Sequence, residues 1–244
     1  MEPVIAVIFW LGHACFVIQA GGATILVDPY NQQVGYEVPK VESVDVVTIS
    51  HEHFDHNYVE MAAGKPLVLR GLAGNGARFH AIDQRAAHVR IRNVPSFHDP
   101  EQGKARGRNS IFVFEVLSAG SPVSIVHMGD FGEKRLSAEQ IRTIGPVDVL
   151  LLPVGGHFTI GPAEADQVIA DLKPKVVVPM HWKTAKVTLP IQDADPFVKG
   201  KKTAPGQYVS GNRLNVTESL LKRVEMAGAP LVAPLAFGPP PKKQ

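Results

Sequence analysis

Residues Val44–Asn57, VDVVTISHEHFDHN, change character at one point. The first part, Val44-Asp45-Val46-Val47-Thr48-Ile49, reads as a buried strand, because it is short, apolar and rich in β-branched side chains. The second part sets His51, His53, Asp55 and His56 at the strand's mouth. Imidazole and carboxylate are suitable ligands for zinc and similar divalent ions. His51 and His53 lie two apart, so an extended or turning backbone can aim both the same way. Asp55 and His56 are adjacent, which suits ligands directed at two neighbouring ions. A helix is expected to start near Asp55, placing that carboxylate at its positive end. The chain has ten histidines and eleven aspartates. At that composition a chance H-x-H-x-D-H arises on the order of once in a thousand chains. A histidine-rich polar loop without ligand function is therefore the weaker reading.

The rest of the chain gives this motif an ordinary globular setting. Its 244 residues suffice for one domain with a substantial core, expected over residues 1–237. The tail Gly238–Gln244, GPPPKKQ, is expected to be disordered. Hydrophobic content of 45% and charged content of 20% are unexceptional. A formal charge of +2 gives no bulk electrostatic case for nucleic acid or membrane partners. A single cysteine, Cys15, excludes an internal disulfide framework and fits a reducing compartment. Pro3–Ala20 is largely apolar, as in a secretory leader, but no Lys or Arg precedes Lys40 and Gly12-His13 interrupts the run. Two buried strands fit better, so a cytoplasmic protein without a membrane span is expected.

Strand-like segments run over Val4–Phe9, Cys15–Gln19, Ile25–Val27, Val44–Ile49, Leu67–Leu69, Val89–Val94, Ser110–Val116, Ser124–Val126, Val149–Leu152 and Val176–Val178. Helices are expected after Asp55, over Ser137–Thr143, over Pro162–Leu172, and near Thr217–Met226. The first half is mainly strands and the second alternates helix and strand, which suggests sheets covered by helices. Thr184–Gly211 lacks periodicity and reads as a surface connection or a flap over a site.

Four ligands cannot complete two metal centres. Further candidates stand where apolar strands end: His98 in VPSFHD, Asp130 in SIVHMGD and His181 in VVVPMHW. Spacing alone does not choose His98 over His80 or His88. These motifs, with LGHACFVI, ILVDPY, RGRNSIFVFE, HMGDFG and LLPVGGHFTIGPAEA, resemble the metallo-β-lactamase superfamily. Within it they resemble the ascorbate-6-phosphate-lactonase-like branch of metal-dependent hydrolases. The likeness runs from about Val4 to Trp182. It implies an αββα sandwich, in which two mixed β-sheets pack face to face with helices on both outer faces. It further implies two divalent ions, one held by His51, His53 and His98, the other by Asp55, His56 and His181, with Asp130 bridging. Zinc is the first expectation; manganese, iron and nickel suit the same ligands.

Two divalent ions bring +4, and Asp55, Asp130 and a bridging hydroxide bring −3. The residual positive charge favours an anionic substrate or a developing oxyanion. Attack by a metal-bound hydroxide on a small anionic ester or lactone is the leading expectation. Asp55 and Asp130 would carry the catalysis, Asp55 orienting the nucleophile. Phosphodiester cleavage is the enzymatic alternative, and a metal-binding protein without turnover the non-enzymatic one. No basic stripe supports RNA binding, and oligomeric state is open.

Around these ligands, Asp28 is either a simple turn carboxylate before Pro29 or, as the resemblance suggests, a carboxylate that orients a metal-bound histidine. His13 either lines the pocket or serves as a hydrogen-bonded structural group. His127 is expected behind the ligands, and His157 either faces the site or does not. Arg106, Arg108 and Asn109 are placed to meet an anionic substrate, with Arg106 the most readily explained as part of a solvated loop. His80 and His88 are expected at the surface or in strand packing, and Cys15 as a small buried strand residue.

Overall fold

A computed structural model describes residues 2–117 and 121–241. In chain order the elements begin with β1 (Val4–Gly12), β2 (Cys15–Ala20), β3 (Ala23–Val27), β4 (Val46–Ile49) and β5 (Leu67–Arg70). A two-stranded ribbon follows, β6 (Leu72–Ala73) and β7 (Arg78–Phe79), then β8 (Asp83–Ala86), β9 (Val89–Phe97), β10 (Arg108–Val116) and β11 (Val123–His127). The remainder is α1 (Ala138–Ile144), β12 (Val149–Pro153), α2 (Pro162–Leu172), β13 (Val176–Met180), α3 (Asp195–Val198), β14 (Val209–Ser210), β15 (Arg213–Thr217), α4 (Glu218–Ala227) and β16 (Leu231–Val232).

Two seven-stranded sheets result, ordered β14-β15-β1-β2-β3-β4-β5 and β16-β13-β12-β11-β10-β9-β8. Each is antiparallel on one side and parallel on the other. In the first, β1, β2 and β3 run antiparallel while β3, β4 and β5 run parallel. In the second, β8 to β11 run antiparallel while β11, β12, β13 and β16 run parallel. The period of two in a strand explains the layering. On β2, Phe16 and Ile18 enter a core shared with Phe112, Phe114 and Val126, whereas Cys15 and Val17 enter a second cluster with Tyr30, Tyr36 and Met61. This is the mixed-sheet α+β sandwich of the metallo-β-lactamase fold.

The ten expected strands all form. Helix α1 starts at Ser137, which exchanges hydrogen bonds with Gln140 in a capping box. Arg92 from β9 donates to the Thr143 and Ile144 carbonyls, so a cation closes the helix's negative end. Helix α2 opens on Pro162, which has no amide to leave unsatisfied, and ends at Lys173 in a left-handed conformation. Helix α4 is capped by Thr217.

The helix expected after Asp55 does not form. His56 donates its amide to His53 in a turn, Tyr58 donates to Pro29, and only a 3₁₀ turn, Val59–Met61, follows. The Tyr58–Pro29 bond ties the chain to the segment after β3, which stops a helical ladder from propagating. Both 3₁₀ turns, Gln32–Val34 and Val59–Met61, bury a side chain against the outer side of the first sheet, as do Val187 and Ile191. Part of Thr184–Gly211 is thus packed connection, while Leu189 reaches the site. Of the tail, the Pro239 carbonyl accepts from Asn212, and residues 242–244 lie outside the described residues. No helix among the described residues is long and apolar enough to cross a membrane.

Candidate metal centre

The site forms at one edge of the sandwich, where strands from both sheets end. β4 delivers His51 to His56, β9 delivers His98, β11 delivers Asp130 and β13 delivers His181. Three buried residues at such ends have left-handed backbones: His13 after β1, Asp28 after β3 and His181 after β13, with φ of 52, 44 and 52°. Non-glycine residues there store strain that surrounding structure must hold, and such positions cluster at functional sites. Gly129, at φ 56°, turns the chain into Asp130 with Asn109 and Ser50 packed where a Cβ would lie, so only glycine fits this approach.

The seven candidate ligands come together. His51, His53 and His98 offer nitrogens within 4.8 Å of one another, and His13, Asp55, His56 and His181 form a second such group. The Asp130 carboxylate stands between them. Its Oδ2 lies 3.0 Å from His98 Nε2, 3.4 Å from His181 Nε2 and 3.8 Å from His51 Nε2, and its Oδ1 lies 3.2 Å from His56 Nε2. These are close approaches without hydrogen-bond alignment. Among the described residues, His56 Nε2, His181 Nε2 and Asp130 Oδ1 are buried and have no hydrogen-bond partner. Leaving such groups unsatisfied costs about 1–3 kcal/mol each, so atoms aimed at a common point fit a divalent ion that completes them.

The electrostatics agree with an ion-binding nest. Burial pushes His51 well below its ordinary value, assisted by neighbouring His56, and does the same more mildly to the partly open His53. Burial would raise Asp130, but His181, His56 and His98 outweigh it and hold the carboxyl well below the usual range. Asp55 is likewise held low against burial, by His56 and His13. Burial would lower His56, yet Asp130 and Asp55 hold it well above the ordinary histidine value. Two ionised carboxylates thus face the low-lying imidazoles of His51 and His53, together with a proton on His56 that a bound ion would displace.

The supporting residues separate by what they touch. Asp28 accepts from the Ser50 amide at 2.8 Å and from its hydroxyl, and lies 2.8 Å from His56 Nδ1. That contact fixes the His56 proton on Nδ1 and turns Nε2 toward Asp55 and Asp130. Ser50 Oγ also meets His51 Nδ1 at 3.0 Å. His13 Nε2 lies 2.9 Å from Asp55 Oδ2, with its ring 4.1 Å from that of His181. Burial, with His181 beside it, pushes His13 down to about 4, so it is a neutral N–H donor that fixes the Asp55 carboxylate. His127 accepts from the Gly129 amide through Nδ1 and therefore donates from Nε2 to the Ala14 carbonyl, at 2.8 Å. Trp10, stacked on Trp182 at 4.9 Å, donates to the His13 carbonyl and locks the same corner.

The remaining pocket candidates take different places. Asn109 does not meet solvent: buried, it donates to Ser96 Oγ and the Met128 carbonyl and accepts from the Asp130 amide, so it holds the Asp130 turn. His157 is exposed and contributes its carbonyl to Arg106, while the adjacent Phe158 lines the cleft. Arg106, exposed on its loop, also lines that cleft, with its guanidinium 5.8 Å from the Phe158 ring centre. Arg108 lines a neighbouring cleft beside His53. His80 and His88 are exposed away from the centre. Cys15 is buried against Met61, and burial pushes its thiol well up, which suits packing rather than nucleophilic chemistry.

The main cleft has a volume of about 420 Å³ and reaches His53, Asp55, His98 and Asp130. Phe54, Phe158 and Leu189 supply its apolar wall. Nothing in the sequence singles these out, because an apolar residue on a loop carries no motif. Ser50 was equally silent, although its place directly before the histidine cluster is a usable signal.

A mixed-sheet sandwich with a buried histidine and aspartate nest at the strand ends defines a metal-dependent hydrolase of the metallo-β-lactamase type. A family model, the beta-lactamase superfamily domain, matches residues 7–181. UPF0173 metal-dependent hydrolases of Pyrococcus furiosus and Thermococcus kodakarensis are 33% and 34% identical, each match covering 72% of this chain and 84% of the relative. A Thermotoga maritima structure, described as a candidate Zn-dependent hydrolase of the metallo-β-lactamase superfamily, is 32% identical with a TM-score of 0.68. That match covers 95% of this chain and 98% of the other. Igni18, a metallo hydrolase from Ignicoccus hospitalis, shares the fold at 22% identity and a TM-score of 0.61, with 96% of each chain covered. The chain belongs to the metallo-β-lactamase superfamily, in its UPF0173 family of metal-dependent hydrolases.

Proposed function

We propose that the protein is a dinuclear hydrolase of a small anionic ester or lactone, with zinc as the resident ion. The observation that carries this reading is the division of donors: His51, His53 and His98 on one side, Asp55, His56 and His181 on the other, and Asp130 between them. Three imidazoles would hold one ion, and a carboxylate with two imidazoles the other, with Asp130 offering an oxygen to each. When bound, divalent ions supply Lewis acidity and an acidified water.

The chain's own residues do the rest. Asp28 keeps the His56 donor nitrogen facing inward, and Asn109 fixes the backbone of the shared aspartate. His13 donates to Asp55 Oδ2, so that carboxylate is oriented at the cleft and able to align the attacking water. In hydrolysis the acyl–oxygen bond breaks, the hydroxyl goes to the acyl carbon and the proton to the leaving oxygen. The lactonase-like likeness of the motifs supports esters and lactones over other acyl groups. The free, buried Cys15 supports a reducing, cytoplasmic compartment.

A panel of lactones, carboxylic esters, phosphodiesters and thioesters, assayed with zinc, manganese, iron and nickel, tests the reaction class. Turnover of anionic esters or lactones is expected, at least tenfold above that of phosphodiesters. Preference for phosphodiesters would overturn the substrate reading.

A further inference from the structure

The centre opens on a second cleft of about 310 Å³, which shares His53 and Arg106 with the first and runs past Asn75, Gly76 and Arg108. The two differ in chemistry. Phe54, Phe158 and Leu189 give the first an apolar wall, whereas the second carries two guanidinium groups. Its one carboxylate, Glu52, is already engaged by Arg70. Among the described residues no carboxylate lies within ion-pair distance of Arg106 or Arg108: Arg106 donates to the His157 carbonyl, and both stand over aromatic rings.

Both arginines are held in place. Arg108 opens β10 opposite Phe97, 5.6 Å from the Phe79 ring centre, and Phe79 itself packs edge-on against Phe97. The loop that carries Arg106 is tied down by buried Asp99, whose carboxylate accepts from the amides of Glu101, Gly103, Ala105 and Arg106. A guanidinium is charged at every working pH, and its fork matches carboxylate and phosphate oxygens. Two preorganised, uncompensated forks beside a reactive centre make a specific anion seat.

We propose that this second cleft is an anion-binding subsite and that the substrate is amphiphilic. Its carboxylate or phosphate sits on Arg106 and Arg108, its hydrolysable bond lies at the metal centre, and its aryl or alkyl part lies against Phe158 and Leu189. The position of the hydrolysable bond rests on the hydrolase reading above. The anion seat does not.

The test is calorimetric binding to metal-loaded protein, with phenylphosphonate, methylphosphonate and phenylacetate as probes. Phenylphosphonate is expected to bind more tightly than methylphosphonate, which has the same charged group, and Phe158→Ser to narrow that gap. Arg106→Gln/Arg108→Gln should weaken phenylphosphonate by about tenfold to a hundredfold, the range for charge-assisted hydrogen bonds. Lys104→Gln, a charge removed from the same loop but outside both clefts, should change affinity by less than about twofold. Comparison with phenylacetate decides whether the seat prefers phosphate or carboxylate. Equal affinity in wild type and the double arginine variant would overturn the anion subsite, and equal binding of phenyl and methyl phosphonates would overturn the amphiphilic substrate. If the probes bind as expected but no ester in the panel is cleaved, the hydrolase reading fails and the anion seat stands.

Discussion

Asp130→Ala is expected to lower turnover by roughly a thousandfold or more, the scale at which a charge-stabilising group at the reacting centre is lost, and to leave at most one ion per chain. The residue is 1% exposed, and its two oxygens lie within ion-pair distance of His51, His56, His98 and His181. Alanine removes the carboxylate that stands between the two donor groups, so each set loses that negative charge and an oxygen donor. The fold should survive, because the Asp130 amide remains bonded to Asn109 Oδ1. Asp130→Asn separates the contributions: it keeps the shape and one acceptor oxygen, but not the charge. Its turnover should fall nearly as far, with metal content between that of wild type and alanine. A fully active, fully loaded Asp130→Ala would refute the bridging role.

Stripping the protein with a chelator is expected to lower its melting temperature. An ion held at about a thousand times its dissociation constant stabilises by about 4 kcal/mol, and for a chain of this size that is about 8–16 °C per site. The size of the drop should depend on pH. Asp130 and Asp55 raise His56 above its unfolded value against the effect of burial. The protonated form therefore stabilises the stripped fold fully below about pH 6.5. That contribution disappears as pH rises through the elevated folded value. Bound ions replace that proton, so the loaded protein is spared the loss. Metal affinity also rises with pH as proton competition fades. The gap in melting temperature should therefore widen as pH rises above about 6.5, and differential scanning calorimetry of loaded and stripped protein checks it. A gap that is absent, or that narrows with pH, would contradict the arrangement.

Much of this molecule is legible in its sequence because its long strands are apolar and its ligands stand where those strands end. Val46–Ile49 followed by His51 to His56 is the plainest case: a buried strand followed by ligands. Arg213–Thr217 escaped notice, since RLNVT alternates polar and apolar residues over only five positions beside a turn, and it needs its partner β1 to become a strand. The helix expected after Asp55 failed because a tertiary bond from Tyr58 to Pro29 overrides local preference. Within the site, the ligands could be named because each sits in a motif. The cleft walls could not: Phe54, Phe158 and Leu189 come from three separate loops, and only the folded chain brings them together. Asn109 needs the fold for a different reason. A polar residue beside two arginines resembles a substrate contact, yet the β10 register turns it inward, onto the Asp130 turn.

The proposed centre holds two ions in one chain, divided by Asp130. Elemental analysis of the purified protein, reconstituted with excess zinc and then freed of unbound metal, measures this directly. Close to two ions per wild-type chain are expected; a reproducible value of one or fewer under those conditions would contradict a two-ion centre.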